Sequence, residues 1–198
     1  GAIQLLAPFS PRFPRPTDIR YVAELDAGRF WRASLLAGED AWTRAALRAG
    51  GEAPRHVALE GLAQAARAAP APPISPPRPH LRAARLADGP VQIALRPSSA
   101  FGELRLEVRT GSDITAAEVD GRPVRLDPGV RRLSLAWSSP AGLELTLRTA
   151  VPGPVSGSYA EIRPGWPPDA PPLPARPADA MPWGGSDSAV AIGAFKVP

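Results

Sequence analysis

Cysteine and asparagine are absent from this 198-residue chain, histidine occurs twice, and lysine and methionine occur once each. Without cysteine there is no disulfide, no thiolate nucleophile and no Cys-rich zinc site, and without asparagine no N-linked glycan acceptor. No apolar run approaches the ~20 residues that cross a bilayer, and no charged-then-apolar signal segment opens the chain. The sequence therefore reads as soluble as it stands. It begins Gly1-Ala2-Ile3 rather than with methionine, which we read as a segment processed or excised from something longer. The lack of cysteine does not locate it, because disulfides are permitted but not required outside the cytosol. At roughly 200 residues a single domain buries about 70% of its unfolded surface, so a core needs neither disulfide nor metal.

What is abundant is arginine and proline. The sequence pI of about 10.5 suggests a polyanion partner, but 22 of the 23 basic residues are arginine and the formal net charge is only +4. Arginine titrates so high that a small excess raises the isoelectric point without a strong field at neutral pH. The basic residues are also dispersed. Only Arg131 and Arg132 adjoin, and Arg105, Arg109 and Arg148 alternate with Leu and Val as on a solvated sheet face. Clustered charge with stacking aromatics is missing, which argues against a nucleic-acid partner.

The 27 prolines punctuate the chain. Residues 1–16, with Pro8, Pro11, Pro14 and Pro16, read as an extended linker, and residues 17–198 as a single domain with Pro-rich connections at 70–79 and 163–183. Residues 19–25 and 29–35 flank Asp26-Ala27-Gly28 as a hairpin. From Asp40, a candidate cap, Trp42, Ala45, Ala46 and Leu47 predict a short helix ending at Gly50-Gly51. The Ala- and Leu-rich residues 55–69 suggest a second helix. After residue 79 the apolar period becomes two: Val91, Ile93, Leu95; Leu104, Leu106, Val108; Leu133, Leu135, Trp137; Leu143, Leu145, Leu147. Asp120-Gly121 sits where a two-residue hairpin turn needs positive φ. Val190 and Ile192 alternate in one phase but Phe195 and Val197 in the other, which a bulge at Gly193 would reconcile. Strands with one apolar face need a covering layer. The expected fold is mainly β, an antiparallel β-sandwich with one or two short helices, open to a jelly-roll arrangement.

Catalytic motifs are sparse. His56 and His80 have no HExxH or His-x-Asp context, and no Glu-Glu pair exists, so they read as surface or loop histidines. The "GPVSG" stretch places Val155 where a G-x-S-x-G elbow requires serine. There is no phosphate-binding Gly-rich loop with its lysine. Paired acids such as Asp26, Glu39 and Asp40 fit turn and capping roles better than glycoside hydrolysis. Trp31, Trp42 and Trp137 lie in element interiors and read as core. Trp166 and Trp183 fall in the late Pro-rich loop. They are the candidate ligand or partner contacts, weighed against the plainer reading that they pin the loop to the body.

Taken in order, "RPTDIRYVAELDAGRFWRASL", "DAWTRAAL", "DGPVQIALRPSSAFGELRLEVRTGSDITAAEVDGRPV", "RRLSLAWSSPAGLELTLRT" and "RPADAMPWGGSDSAVAIGAFKV" resemble the C-terminal region of bacterial membrane-anchored metallopeptidases of family 28. These are di-zinc aminopeptidases related to the endoplasmic-reticulum metallopeptidases. The matching features are Tyr21 with Asp26 and Trp31, Asp40-Ala41-Trp42-Thr43, Asp120-Gly121-Arg122-Pro123, Gly142-Leu143-Glu144-Leu145 and Ser186-Asp187. The resemblance implies a parent with an N-terminal catalytic domain holding two zinc ions, a multi-spanning membrane region, and this extracytoplasmic (periplasmic) module tethered through it to the inner membrane. None of the family's metal ligands or its catalytic glutamate maps onto this chain. The resemblance thus implies no catalytic, cofactor or metal residue here, zinc in the absent domain, and the parent's catalytic and membrane regions as partners. The alternative expectation is a free-standing carbohydrate- or peptide-binding sandwich using Trp166 and Trp183.

Overall fold

A computed structural model of the protein describes residues 11, 12, 14–62 and 65–198. In chain order its elements are β1 (Arg15–Thr17), β2 (Arg20–Glu24), β3 (Arg29–Ser34), α1 (Ala41–Arg48), β4 (Arg55–Val57), β5 (Ala66–Pro70), β6 (His80–Arg85) and β7 (Val91–Arg96). There follow β8 (Glu103–Thr110), β9 (Ile114–Val119), β10 (Arg122–Pro123), β11 (Arg132–Trp137), β12 (Leu143–Thr149), β13 (Val155–Pro164), β14 (Ala180–Pro182) and β15 (Ser188–Val197). A five-stranded antiparallel sheet runs β10-β9-β12-β7-β6, and an eight-stranded sheet runs β11-β8-β13-β15-β2-β3-β5-β4. Within the larger sheet only β15 and β2 pair in parallel. A parallel two-stranded ribbon joins β1 to β14. The architecture is a β-sandwich with one side of its larger sheet extended well beyond the smaller one.

Period-two patterning explains the sandwich. Val91, Ile93 and Leu95 of β7 and Leu143, Leu145 and Leu147 of β12 face Leu104, Leu106 and Val108 of β8 in one buried cluster. Leu133, Leu135 and Trp137 of β11 close its side, in register with Val108, Leu106 and Leu104. Burying each such Leu or Val contributes roughly 1.5–3 kcal/mol. The opposite positions of β8, namely Arg105, Glu107 and Arg109, carry surface ion pairs.

The extended part of the large sheet is covered on both faces. On one side Val22, Trp31, Ala33, Ala68, Val190 and Ile192 pack under Leu59, with Leu35 and Leu62. On the other, Ile19 meets Trp42, Ala46 and Leu47 of α1, with Trp166 and Leu173 of the late Pro-rich segment. The helix starts where expected: Asp40 accepts from the amides of Trp42 and Thr43 at 2.8 and 3.0 Å, the role of an N-cap.

Three expectations need correction. Residues 55–69 contain strands β4 and β5, not a second helix. Alanines at 66, 68 and 69 are buried between layers, and close-packed sheet, not helical propensity, sets their conformation. The last strand has no bulge: its ladder with β13 runs unbroken from Val155↔Val197 to Pro164↔Ser188. The phase change arises because β15 is buried on one face at Val190 and Ile192 and on the other at Phe195 and Val197. Gly193 stands at the crossover for steric reasons, since a Cβ there would lie 2.3 Å from Cζ of Tyr159. Finally, the Pro-rich spans are shorter than read. β1 enters the lead-in at Arg15, and β13 and β14 take the ends of the 163–183 loop. The part of the linker over residues 1–10 and 13 lies outside the described residues.

Candidate functional site

The two tryptophans singled out from the sequence have different settings. Trp166 is half-buried in the cluster around α1. Its ring meets Tyr21 edge-on at 5.8 Å, its indole N–H donates to the Pro171 carbonyl at 3.0 Å, and the Arg32 guanidinium lies 5.8 Å from its centroid. It fastens the Pro-rich strap to the sheet. Trp183 is 47% exposed. Its backbone is held, with N–H donated to Thr17 O at 2.7 Å and its carbonyl accepting from Ser186 N at 2.8 Å, but much of its ring is left to solvent.

The residues that carry the family resemblance have internal work. Tyr21 donates its hydroxyl to Pro72 O, and Asp26 accepts the Ala194 amide at 2.7 Å. Trp31 donates to Glu24 at 2.7 Å, and Trp42 to Pro174 O at 3.1 Å. Asp120 and Gly121 take φ of 51° and 75° at the hairpin turn, and Asp120 exchanges hydrogen bonds with the backbone of Glu144. Gly142 has φ of 80°, and a Cβ would come within 2.2 Å of Leu95 O. Asp187 takes both terminal nitrogens of Arg176 at 2.9 and 2.7 Å, while Arg176 stacks 4.1 Å from the Trp42 ring. Burial raises the Asp187 carboxyl, but hydrogen bonds from Arg176 and Ser186 and the Arg176 charge outweigh it and hold the group below its ordinary value.

Arg32 and Glu161 are among the buried polar groups that escaped the sequence reading, as are Asp18 and Arg20, which pair at 3.1 Å. Arg32, 1% exposed, donates to Ala46 O and Pro171 O, and its Nε has no partner among the described residues. Burial lowers its affinity for the proton, against the opposing influence of Tyr21. Glu161, also 1% exposed, accepts from both the amide and the hydroxyl of Ser98. Gly102 lies against it, with no space for a side chain. The available signal was a charged residue in phase with an aromatic one two positions before it, Phe30 before Arg32 and Tyr159 before Glu161.

The histidines are exposed on strands of different sheets, His56 on β4 and His80 on β6. Among the described residues no three His, Asp or Glu side chains converge to hold a metal ion. The outer face of the five-stranded sheet forms a trough of about 590 Å³ lined by His80, Arg82, Gln92, Ala94, Arg96 and Glu144. His80 lies directly opposite Arg96 and Arg82 opposite Ala94, so two arginines sit as diagonal neighbours, an arrangement that like charges disfavour. Glu144, the acid in this lining, is bonded by Gln92 at 3.0 Å. No helix among the described residues is long and apolar enough to cross a membrane. Comparison with known proteins finds no matching family model, no matching curated protein and no matching solved structure.

Proposed function

We propose that this chain is a non-catalytic accessory module of a membrane-anchored, zinc-dependent peptidase of family 28, lying on the periplasmic side. Peptide-bond hydrolysis by metal-activated water belongs to the parent's catalytic domain, and this module supports that domain or substrate access to it. One observation carries the reading. The residues by which the chain resembles that family, Tyr21, Asp26, Trp31, Asp40, Trp42, Asp120, Gly142 and Asp187, cap, turn or fasten the sandwich. A pattern made of such residues is the signature of a scaffold. The test has two parts. The coding sequence upstream of Ala2 is expected to encode a His-x-Asp motif, a Glu-Glu pair and membrane spans. The purified chain is expected not to hydrolyse aminoacyl-p-nitroanilides, and hydrolysis abolished by chelator and restored by zinc would overturn the reading.

A free-standing peptide- or carbohydrate-binding sandwich is the second reading. It is favoured by the arginine-lined trough at Arg82 and Arg96 and by the exposed Trp183 ring. A signal peptide encoded immediately before Ala2 would select it over the first.

A further inference from the structure

Residues 70–79, "PAPPISPPRP", contain six prolines. From Ala71 to Arg78 every residue except Ile74 is a proline or precedes one, so at each of them φ is fixed or the α region is closed. Outside any ladder, as 71–79 are, such a stretch takes the left-handed polyproline helix, with three residues to a turn and about 3.1 Å per residue. Burial follows that period. Pro72, Ser75 and Arg78 are all exposed, whereas Ala71 and Ile74 lean half-buried on the body. Pro73 is exposed, Pro76 half-buried and Pro79 buried, so this second row descends toward β6. The rail is fixed at both ends. Ala71 N donates to Phe30 O at 2.9 Å, the Tyr21 hydroxyl donates to Pro72 O, and His80 enters β6 opposite Arg96.

The outward rows present two X-Pro pairs, Pro72-Pro73 and Ser75-Pro76, and then Arg78, over about 19 Å. Arg78 is exposed and pairs with no carboxylate among the described residues. Asp26, whose charge together with that of Arg78 reaches the Tyr159 hydroxyl, bonds instead to the Ala194 amide at 2.7 Å. The late strap repeats the spacing as Pro171-x-x-Pro174-x-Arg176 and shows what satisfies such an arginine. Asp187 takes its terminal nitrogens, while Trp42 stacks 4.1 Å from it and donates to Pro174 O. At 72–78 no indole donates and no carboxylate pairs among the described residues. The geometry points to a partner protein as the occupant of these outward rows, one whose groove has aromatic walls for Pro72-Pro73 and Ser75-Pro76 and a carboxylate for Arg78. A rail already fixed by the fold binds without the ordering cost that a flexible peptide meets. The inference does not depend on the peptidase reading. Its failure leaves that reading standing, and the upstream sequence tests the latter separately.

The probe is an SH3 domain that selects P-x-x-P-x-R peptides, a groove of this construction, titrated into the intact chain by isothermal calorimetry. Saturable one-to-one binding is expected. Arg78→Ala is expected to weaken it about tenfold, the scale of hydrogen bonds to a charged group. Pro73→Ala is expected to do the same by removing two buried methylenes. Arg82→Ala removes an exposed arginine from the neighbouring β6 and is expected to change nothing. Circular dichroism melts confirm that each variant is folded. Four results overturn the inference. They are no binding by the folded chain, binding that Arg78→Ala leaves unchanged, equal losses from Arg78→Ala and Arg82→Ala, or self-association of the chain that Arg78→Ala abolishes, which would assign the rows to a second copy.

Discussion

A methyl group at position 193 has nowhere to go, because the Tyr159 ring occupies the space on β13 opposite. Gly193→Ala is expected to destabilise the chain by about 1–3 kcal/mol, the usual cost of overpacking. In a Tyr159→Ala background the same substitution should cost less, and urea titration of both single variants and the double variant reads the coupling. Equal costs with and without the ring would refute the steric account. The only two tyrosines, Tyr21 and Tyr159, make a second test. Burial pushes the Tyr21 hydroxyl up to about 12, against a lowering influence from Arg32. Burial and then Asp26 raise that of Tyr159, against Arg78. A folded value above the unfolded one favours the neutral phenol, so this stabilisation is complete below about pH 10 and, for Tyr21, is lost as pH rises through about 12. At pH 10 the native chain is expected to show little phenolate absorbance at 295 nm, whereas the urea-unfolded chain shows about half. Matching absorbance in both states would sink this claim.

The Pro-rich strap between β13 and β14 is the element most dependent on individual bonds, since it has no ladder of its own. It is held by the indoles of Trp42 and Trp166, by Arg32, and by Arg176 on Asp187 and Thr17. Asp187 has φ of 56°, a conformation asparagine tolerates, so Asp187→Asn removes charge without added strain. The variant is expected to be less stable at pH 7 by about 2 kcal/mol, the scale of hydrogen bonds to a charged group. Because the native carboxyl sits below its ordinary value, its contribution is present above about pH 4 and lost as pH falls through the folded value. The gap between variant and parent should therefore close on acidification, as urea melts at pH 7 and pH 3 would reveal. Legibility in the sequence also differs by element. β7, β8, β11 and β12 were readable because each buries one face with large aliphatic residues, and α1 because Asp40 and Gly51 mark its limits. β5 was not, because Ala66, Ala68 and Ala69 fill a tight interlayer space without any large side chain. β15 was misread because a strand buried on successive faces mimics a bulge. Of the candidate contacts, Trp166 as a pin and Trp183 as an exposed ring occupy the two outcomes weighed from sequence. The arginine trough was invisible, because it depends on β6 pairing with β7.

At the scale of the whole molecule, β13 and β15 are ten-residue strands that contribute both to the sandwich core and to the cluster beneath Leu59. Neither core can open without loosening the other. Equilibrium unfolding is accordingly expected to follow a single transition, with tryptophan fluorescence and far-ultraviolet circular dichroism coincident. Separated midpoints would mean that the extension around β2, β3 and β5 melts by itself. The parallel pairing of β2 with β15 has a mechanical consequence. Tension applied before β2 and after β15 pulls these neighbours past each other lengthwise, so their shared hydrogen bonds are loaded together rather than unzipped in turn. A chain tethered by its leading segment would resist force as a clamp does.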